Sequence, residues 1–248
     1  MDIMERVNKH YVRALTHYGD DAVLGVFLYG SQNYGTNTEN SDVDTKCILI
    51  PDLFALAIKP YEVKHLSVDG EVCECMTIMH MVSNWKKQNI NFVEILFTDY
   101  CVINPKYEKL WNLLLNERNR EMIARYDMKA AVLSMSYQAI HTMKQGPTDP
   151  KKVMNAARIM QSLLKLVDEQ KHSYREIIKA PIEVAKIRTG ETPIPEGFCA
   201  GMETVFRGMI EHAEAGAYSP AKEDKEGIDL FLNDLILDLI SRRLELGI

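Results

Sequence analysis

The chain has 248 residues, 46% of them hydrophobic and 26% charged, which suits a globular protein with ample length for a packed core. A net charge of −6 argues against a broad nucleic-acid-coating surface while leaving room for a local basic cleft. No window approaches the roughly 18 apolar residues of a membrane span, and the N-terminus lacks the basic-then-apolar order of a signal peptide. Five cysteines, at 47, 73, 75, 101 and 199, show no disulfide-framework spacing, so a reducing cytoplasm is the expected compartment.

Taken in order, Glu5 to Tyr18 places Val7, Tyr11, Ala14 and Leu15 on one helical face, with Asp2 as the expected N-cap. Apolar, β-branched runs at 22–29 and 43–50 read as buried strands flanking a polar loop. Tyr61–Val68 and Glu71–Ile78 read as a hairpin across Asp69-Gly70, a strong turn dipeptide. Helices are expected near Met79–Gln88 and Asn91–Phe97. Beyond Pro105 helical windows dominate, at 106–118, 128–144, 150–169, 173–187, 198–214 and 223–246. Asp127 and Asp149-Pro150 supply helix starts, and Gly146-Pro147 closes the helix between them. The expected division is an α/β module over residues 1–103 and an α-helical module over 104–248. In the last window Ile228, Phe231, Leu232, Leu235, Ile236, Leu239 and Leu246 predict an amphipathic helix that packs a core or a homo-oligomer interface.

The chemistry concentrates in the loop between the first two strands. There Gly30-Ser31 is followed, ten residues on, by Ser41-Asp42-Val43-Asp44. Side chains alternate along a strand, so Asp42 and Asp44 share a face with Val43 opposite. Two such anions repel unless a cation joins them, and an oxygen-preferring divalent ion that brings substrate phosphates is the natural counter-ion. Gly30 lets a ligand approach the backbone, and Ser31 offers a hydroxyl and an amide to phosphate oxygens. Asp-x-Asp also occurs in plain surface turns; the Gly-Ser corner and the flanking strands favour the site.

These residues resemble the signature of nucleotidyltransferases of the DNA polymerase β superfamily, and more narrowly the compact members encoded by bacteria and phages. In that group the Gly-Ser corner is followed by Tyr-Gly, here Tyr34-Gly35, and then by the Ser-Asp-x-Asp. Asn89-Ile90-Asn91-Phe92-Val93-Glu94-Ile95-Leu96-Phe97 is similar to the group's Asn-Pro-Asn … Glu-Leu-Leu-Phe helix, with Ile90 in the Pro place. Lys152-Val153-Met154-Asn155-Ala156-Ala157-Arg158 resembles its Lys … His … Arg helix, with Asn155 in the His place, and Arg188-Thr189-Gly190-Glu191 matches its Arg-x-Gly-Glu turn. The resemblance covers residues 22 to 192. It implies an α+β fold, a nucleotidyltransferase-type mixed β-sheet with flanking helices followed by a C-terminal α-helical domain.

It also implies a reaction: a nucleoside monophosphate moves from a nucleoside triphosphate to a hydroxyl, assisted by two Mg²⁺ or Mn²⁺ ions about 3.5–4 Å apart. Asp42 and Asp44 are the expected metal ligands, and Gly30 and Ser31 the seat of the triphosphate. Family members carry a third carboxylate on the strand after the hairpin turn, and Asp69, Glu71 and Glu74 compete for that role. Glu74 shares a face with Val72, Met76 and Ile78, where an isolated carboxylate needs a partner, and so is favoured. Lys152 and Arg158 are expected at phosphates or base by the same resemblance. The Arg188 turn also reads as a simple helix stop. The acceptor is open among small molecules, proteins and RNA, with nucleic acid not favoured. The competing reading is a catalytically silent nucleotide- or partner-binding protein, antitoxin-like or nucleotide-sensing. Zinc at Cys73, Cys75 and His80, a hydrolase triad and a P-loop all lack the required spacing.

Overall fold

Five strands make one mixed sheet, seen in a computed structural model that describes residues 2–168, 172–219 and 222–246. The strands are β1 (Val23–Tyr29), β2 (Asp44–Leu49), β3 (Val63–Val68), β4 (Glu71–Thr77) and β5 (Cys101–Ile103), in the order β3-β4-β2-β1-β5. β2 runs parallel to β4, and every other neighbouring pair is antiparallel. With helices on both faces and a helical C-terminal region, the fold is α+β. The β3–β4 turn carries positive φ at both central residues, Asp69 (51°) and Gly70 (87°), the conformation that a two-residue hairpin of this twist requires.

A bulge at Gly25 decides which residues of β1 face which core. The register shifts there, and a Cβ on Gly25 would sit 2.7 Å from the Val102 carbonyl oxygen, so only glycine fits. Leu24 and Phe27 consequently face one apolar cluster, while Val23, Val26 and Leu28 face another. The second cluster lies under the helix Ile3–Tyr18, whose Val7, Tyr11 and Ala14 meet Val43, Cys47, Cys73 and Cys75. The first continues from the sheet through Trp85 and Trp111 into the helical region as far as Ile240. Residues on either side of the 103/104 division therefore share one apolar core.

Local chemistry reshapes several predicted elements. Asn116 accepts from the Arg118 amide and divides the 106–118 window into Glu108–Leu115 and Glu117–Ala124. Pro181, which has no amide to donate, separates Tyr174–Ile178 from Ile182–Thr189. Asp2 takes the extended N-cap conformation, but its side chain makes no capping bond. Short helices at Ser31–Tyr34 and Leu53–Ile58 and the three-residue strand β5 are additions to the expected plan. The helix Lys222–Leu246 buries Ile228, Leu232, Leu235, Ile236 and Leu239, yet it exposes Leu230 and Leu237, so its apolar residues spread beyond one face. The side chain of Leu246 lies outside the described residues.

Candidate nucleotide and metal site

β1 ends against a tight corner. Gly30 adopts φ 82° and ψ −153°, and its carbonyl accepts from the amides of Asn33 and Tyr34 as the short helix begins. A Cβ at Gly30 would stand 3.3 Å from Asp44 Oδ2, so the absent side chain is what lets the carboxylate lie against the corner. Asp44 reaches that point because it pairs with Tyr29 in the β1–β2 ladder. Val43 is buried, Asp42, which precedes the strand, is exposed, and Asp44 is half-buried. Burial raises the Asp44 carboxyl above its ordinary range, Asp42 adds repulsion, and Lys151, Lys46 and His10 pull it back.

Beneath the corner lies Glu94, fully buried. Its carboxylate accepts from the Tyr34 hydroxyl at 2.6 Å, from Asn33 Nδ2 at 2.9 Å and from the Gly30 amide at 3.3 Å. Burial pushes its carboxyl up to about 7 despite these donors. The Tyr34 hydroxyl is also 3.0 Å from Asn91 Oδ1, so the Tyr34 and Asn-Ile-Asn … Glu segments lock together. The helical region grips the same loop: Lys179 Nζ donates to the Asn33 carbonyl at 2.6 Å, the Ala180 amide to Tyr34 at 3.0 Å, and Arg188 to Thr36 at 2.7 Å.

Between corner and helices is a cavity of about 220 Å³ whose lining includes Gly30, Ser31, Asp44, Lys151, Arg158 and Arg188. Arg158 is 3% exposed and lies over the Tyr34 ring, 3.6 Å from its centroid. Two of its guanidinium nitrogens, Nε and Nη1, are buried with no hydrogen-bond partner among the described residues. Buried guanidinium N–H groups left without an acceptor at a cavity wall are costly unless an anion completes them. Lys152 is elsewhere: its ammonium donates to the Gln145 carbonyl at 3.1 Å. Neighbouring helical residues point about 100° apart, and it is Lys151 that lines the cavity, with Asn155 and Arg158 at helical spacing behind it. Arg188 precedes Gly190, whose φ of 78° ends its helix, so the turn is both a helix stop and part of the cavity wall.

Glu74 stands apart from the aspartate pair. Register places it opposite Lys46, and the two side chains form an ion pair. Asp69 is held in the hairpin turn by Lys9 at 2.8 Å. Glu71 accepts from the Val43 amide at 2.9 Å and from Arg6 Nε at 3.1 Å. Each of the three candidate third carboxylates thus has a basic partner within the protein. No cluster of three or more His, Cys, Asp or Glu side chains able to hold a metal occurs among the described residues, so Asp42, Asp44 and Glu74 do not converge as the sequence led us to expect. Asp44 lines the cavity, and Asp42, two residues before it, is not among the lining residues. Lys46, Lys151 and Glu94 are the site residues that the sequence reading left unassigned.

No protein-family model matches this chain, and no curated protein matches it. Among solved structures it aligns with a nucleotidyltransferase-like protein from Exiguobacterium sibiricum 255-15, at 12% identity over 85% of this chain and 75% of that one, with a TM-score of 0.33. No helix of the described residues is long and apolar enough to cross a membrane.

Proposed function

We propose that the protein is a metal-dependent nucleotidyltransferase that moves a nucleoside monophosphate from a nucleoside triphosphate to a hydroxyl acceptor. The observation that carries this reading is Arg158, two of whose buried guanidinium nitrogens have no hydrogen-bond partner among the described residues, at a cavity whose wall also holds Gly30, Ser31, Asp44, Lys151 and Arg188. Three cations facing one carboxylate and a glycine-serine corner match the needs of a polyphosphate accompanied by a divalent ion. Asp42 and Asp44 would hold that ion, Mg²⁺ or Mn²⁺, which when bound neutralises phosphate charge. Gly30 and Ser31 would receive the triphosphate tail, with Lys151, Arg158 and Arg188 balancing its charge from the helical side. In the transfer the acceptor oxygen bonds the α-phosphorus, the α–β bridging P–O bond breaks, pyrophosphate leaves with the electron pair, and the hydroxyl proton passes to water.

One observation favours a second reading, a nucleotide-binding protein without turnover: the third carboxylate that the chemistry asks for is missing from the aspartate pair. Incubating the chain with Mg²⁺ or Mn²⁺, each labelled nucleoside triphosphate and a cell extract as acceptor pool separates the two. The enzyme reading expects pyrophosphate release and labelled product, both lost in Asp44→Asn and Arg158→Met. Triphosphate binding by calorimetry with no turnover leaves the second reading standing, and no binding at all removes both.

A further inference from the structure

Lys46 sits two residues beyond Asp44 on β2, hence on the same face of the sheet, and its side chain is 2% exposed. A lysine ammonium is almost never so enclosed without a partner. Here the partner is Glu74, directly opposite on parallel β4. Two rings complete the enclosure, Tyr29 at 3.9 Å and Phe92 at 4.3 Å from the nitrogen. A second divalent ion beside the aspartate pair needs an anionic ligand from the neighbouring strand. Of the two carboxylates on β4, Glu71 is tied to Arg6 and the Val43 amide, and Glu74 is already neutralised by a cation that the chain itself supplies.

We propose that Lys46 is a built-in cation standing where a second metal ion would be needed, so that each chain binds a single divalent ion together with its nucleotide. Glu74 is then the counter-ion of Lys46 and not a metal ligand. This rests on the reading of Asp42 and Asp44 as the holders of a nucleotide-associated ion. It accounts for both features that set this site apart, a carboxylate withdrawn into an ion pair and an ammonium buried between two aromatic rings.

Titration of the full chain with Mn²⁺, read by electron paramagnetic resonance in the presence of a triphosphate analogue with a non-cleavable α–β bridge, counts the ions directly. Wild type is expected to hold one Mn²⁺ per protein–nucleotide complex. Lys46→Met releases Glu74 and is expected to raise the count to two, while Lys46→Met combined with Glu74→Gln returns it to one. A count of two in wild type, or a folded Lys46→Met that stays at one, overturns the inference. Should Lys46→Met fail to fold, Glu74→Gln decides: an unchanged Mn²⁺ affinity supports the counter-ion role, and a tenfold loss overturns it. A wild-type count of zero with nucleotide bound removes the metal-dependent reading itself, which is a different result from a count of two.

Discussion

Glu94 shows how one residue ties stability to pH. Three donors favour its charged form, yet complete burial outweighs them and lifts the carboxyl to about 7 from an ordinary 4.5. Because the folded protein holds this proton more tightly than the unfolded chain, the stabilisation is complete below pH 4.5 and is lost as pH rises through 7. The amount is on the order of 3 kcal/mol, from about 1.4 kcal/mol per unit. Urea denaturation at pH 5 and pH 7.5 should show wild type losing stability across this window and Glu94→Gln losing much less. Equal slopes would mean that another group carries the proton. Gly30 gives a second residue-scale expectation. With φ at 82° and Asp44 Oδ2 only 3.3 Å from a new Cβ, Gly30→Ala should cost roughly 1–3 kcal/mol in urea denaturation and displace the carboxylate, weakening triphosphate binding by calorimetry. The corner at Gly30 and the strand that opens at Asp44 were legible in the sequence because backbone freedom and strand alternation are local properties. It could not expose the Lys46–Glu74 pair, since nothing local tells that β4 lies parallel to β2 in the register that sets those two side chains opposite. Glu94 was visible as a lone carboxylate within an apolar run, but its role depends on donors some sixty residues earlier in the chain.

At the scale of elements, the helix Pro150–Val167 does most to build the site. Its face at 151, 155 and 158 follows the i, i+4, i+7 spacing and lines the cavity, whereas Lys152, the residue the family resemblance points to, faces away from it. That polar stripe was legible in the sequence and is the signal that could have placed Lys151. The helix starts where it does because the Asp149 side chain accepts from the amides of Lys151 and Lys152, with Pro150 at the first helical position. Asp149→Ala should therefore cost about 1 kcal/mol in urea denaturation. Because Lys151 lies in the turn that loses its cap, triphosphate binding should weaken alongside. Loss of stability with unchanged binding would show that Lys151 is held by other contacts. Punctuation of this kind read well from sequence at Asp127, Asp149 and Asp69-Gly70. Periodicity ran straight through Asn116 and Pro181, where capping and a missing amide stop the helix even though the apolar pattern continues. β5, with three residues, is too short to show any period and exists only because β1 offers it an edge.

The whole molecule is expected to unfold as one unit, because one apolar core runs through it. Leu24, Phe27, Ile48 and Met76 on the sheet belong to the same apolar cluster as Trp111, Met135, Leu163 and Leu239 of the helical region. Uncovering each large apolar side chain costs about 1.5–3 kcal/mol. Four of them would consume most of the 5–15 kcal/mol that typically separates a folded domain from its unfolded chain. The sequence division at 103/104 marks a change in secondary structure; by this reasoning it does not mark two independently folding bodies. Trp85 and Trp111 come from opposite sides of that division, with ring centroids 6.3 Å apart, so tryptophan fluorescence reports the contact between the halves. Urea unfolding followed by fluorescence and by far-ultraviolet circular dichroism should give coincident single transitions, and a chain ending at residue 103 should show no cooperative transition. Because the cavity takes Gly30 and Asp44 from one half and Lys151, Arg158 and Arg188 from the other, a bound triphosphate should raise that single midpoint as a whole. Two separated transitions, with the triphosphate shifting only one, would show that the halves fold apart and that the cavity is the product of their docking.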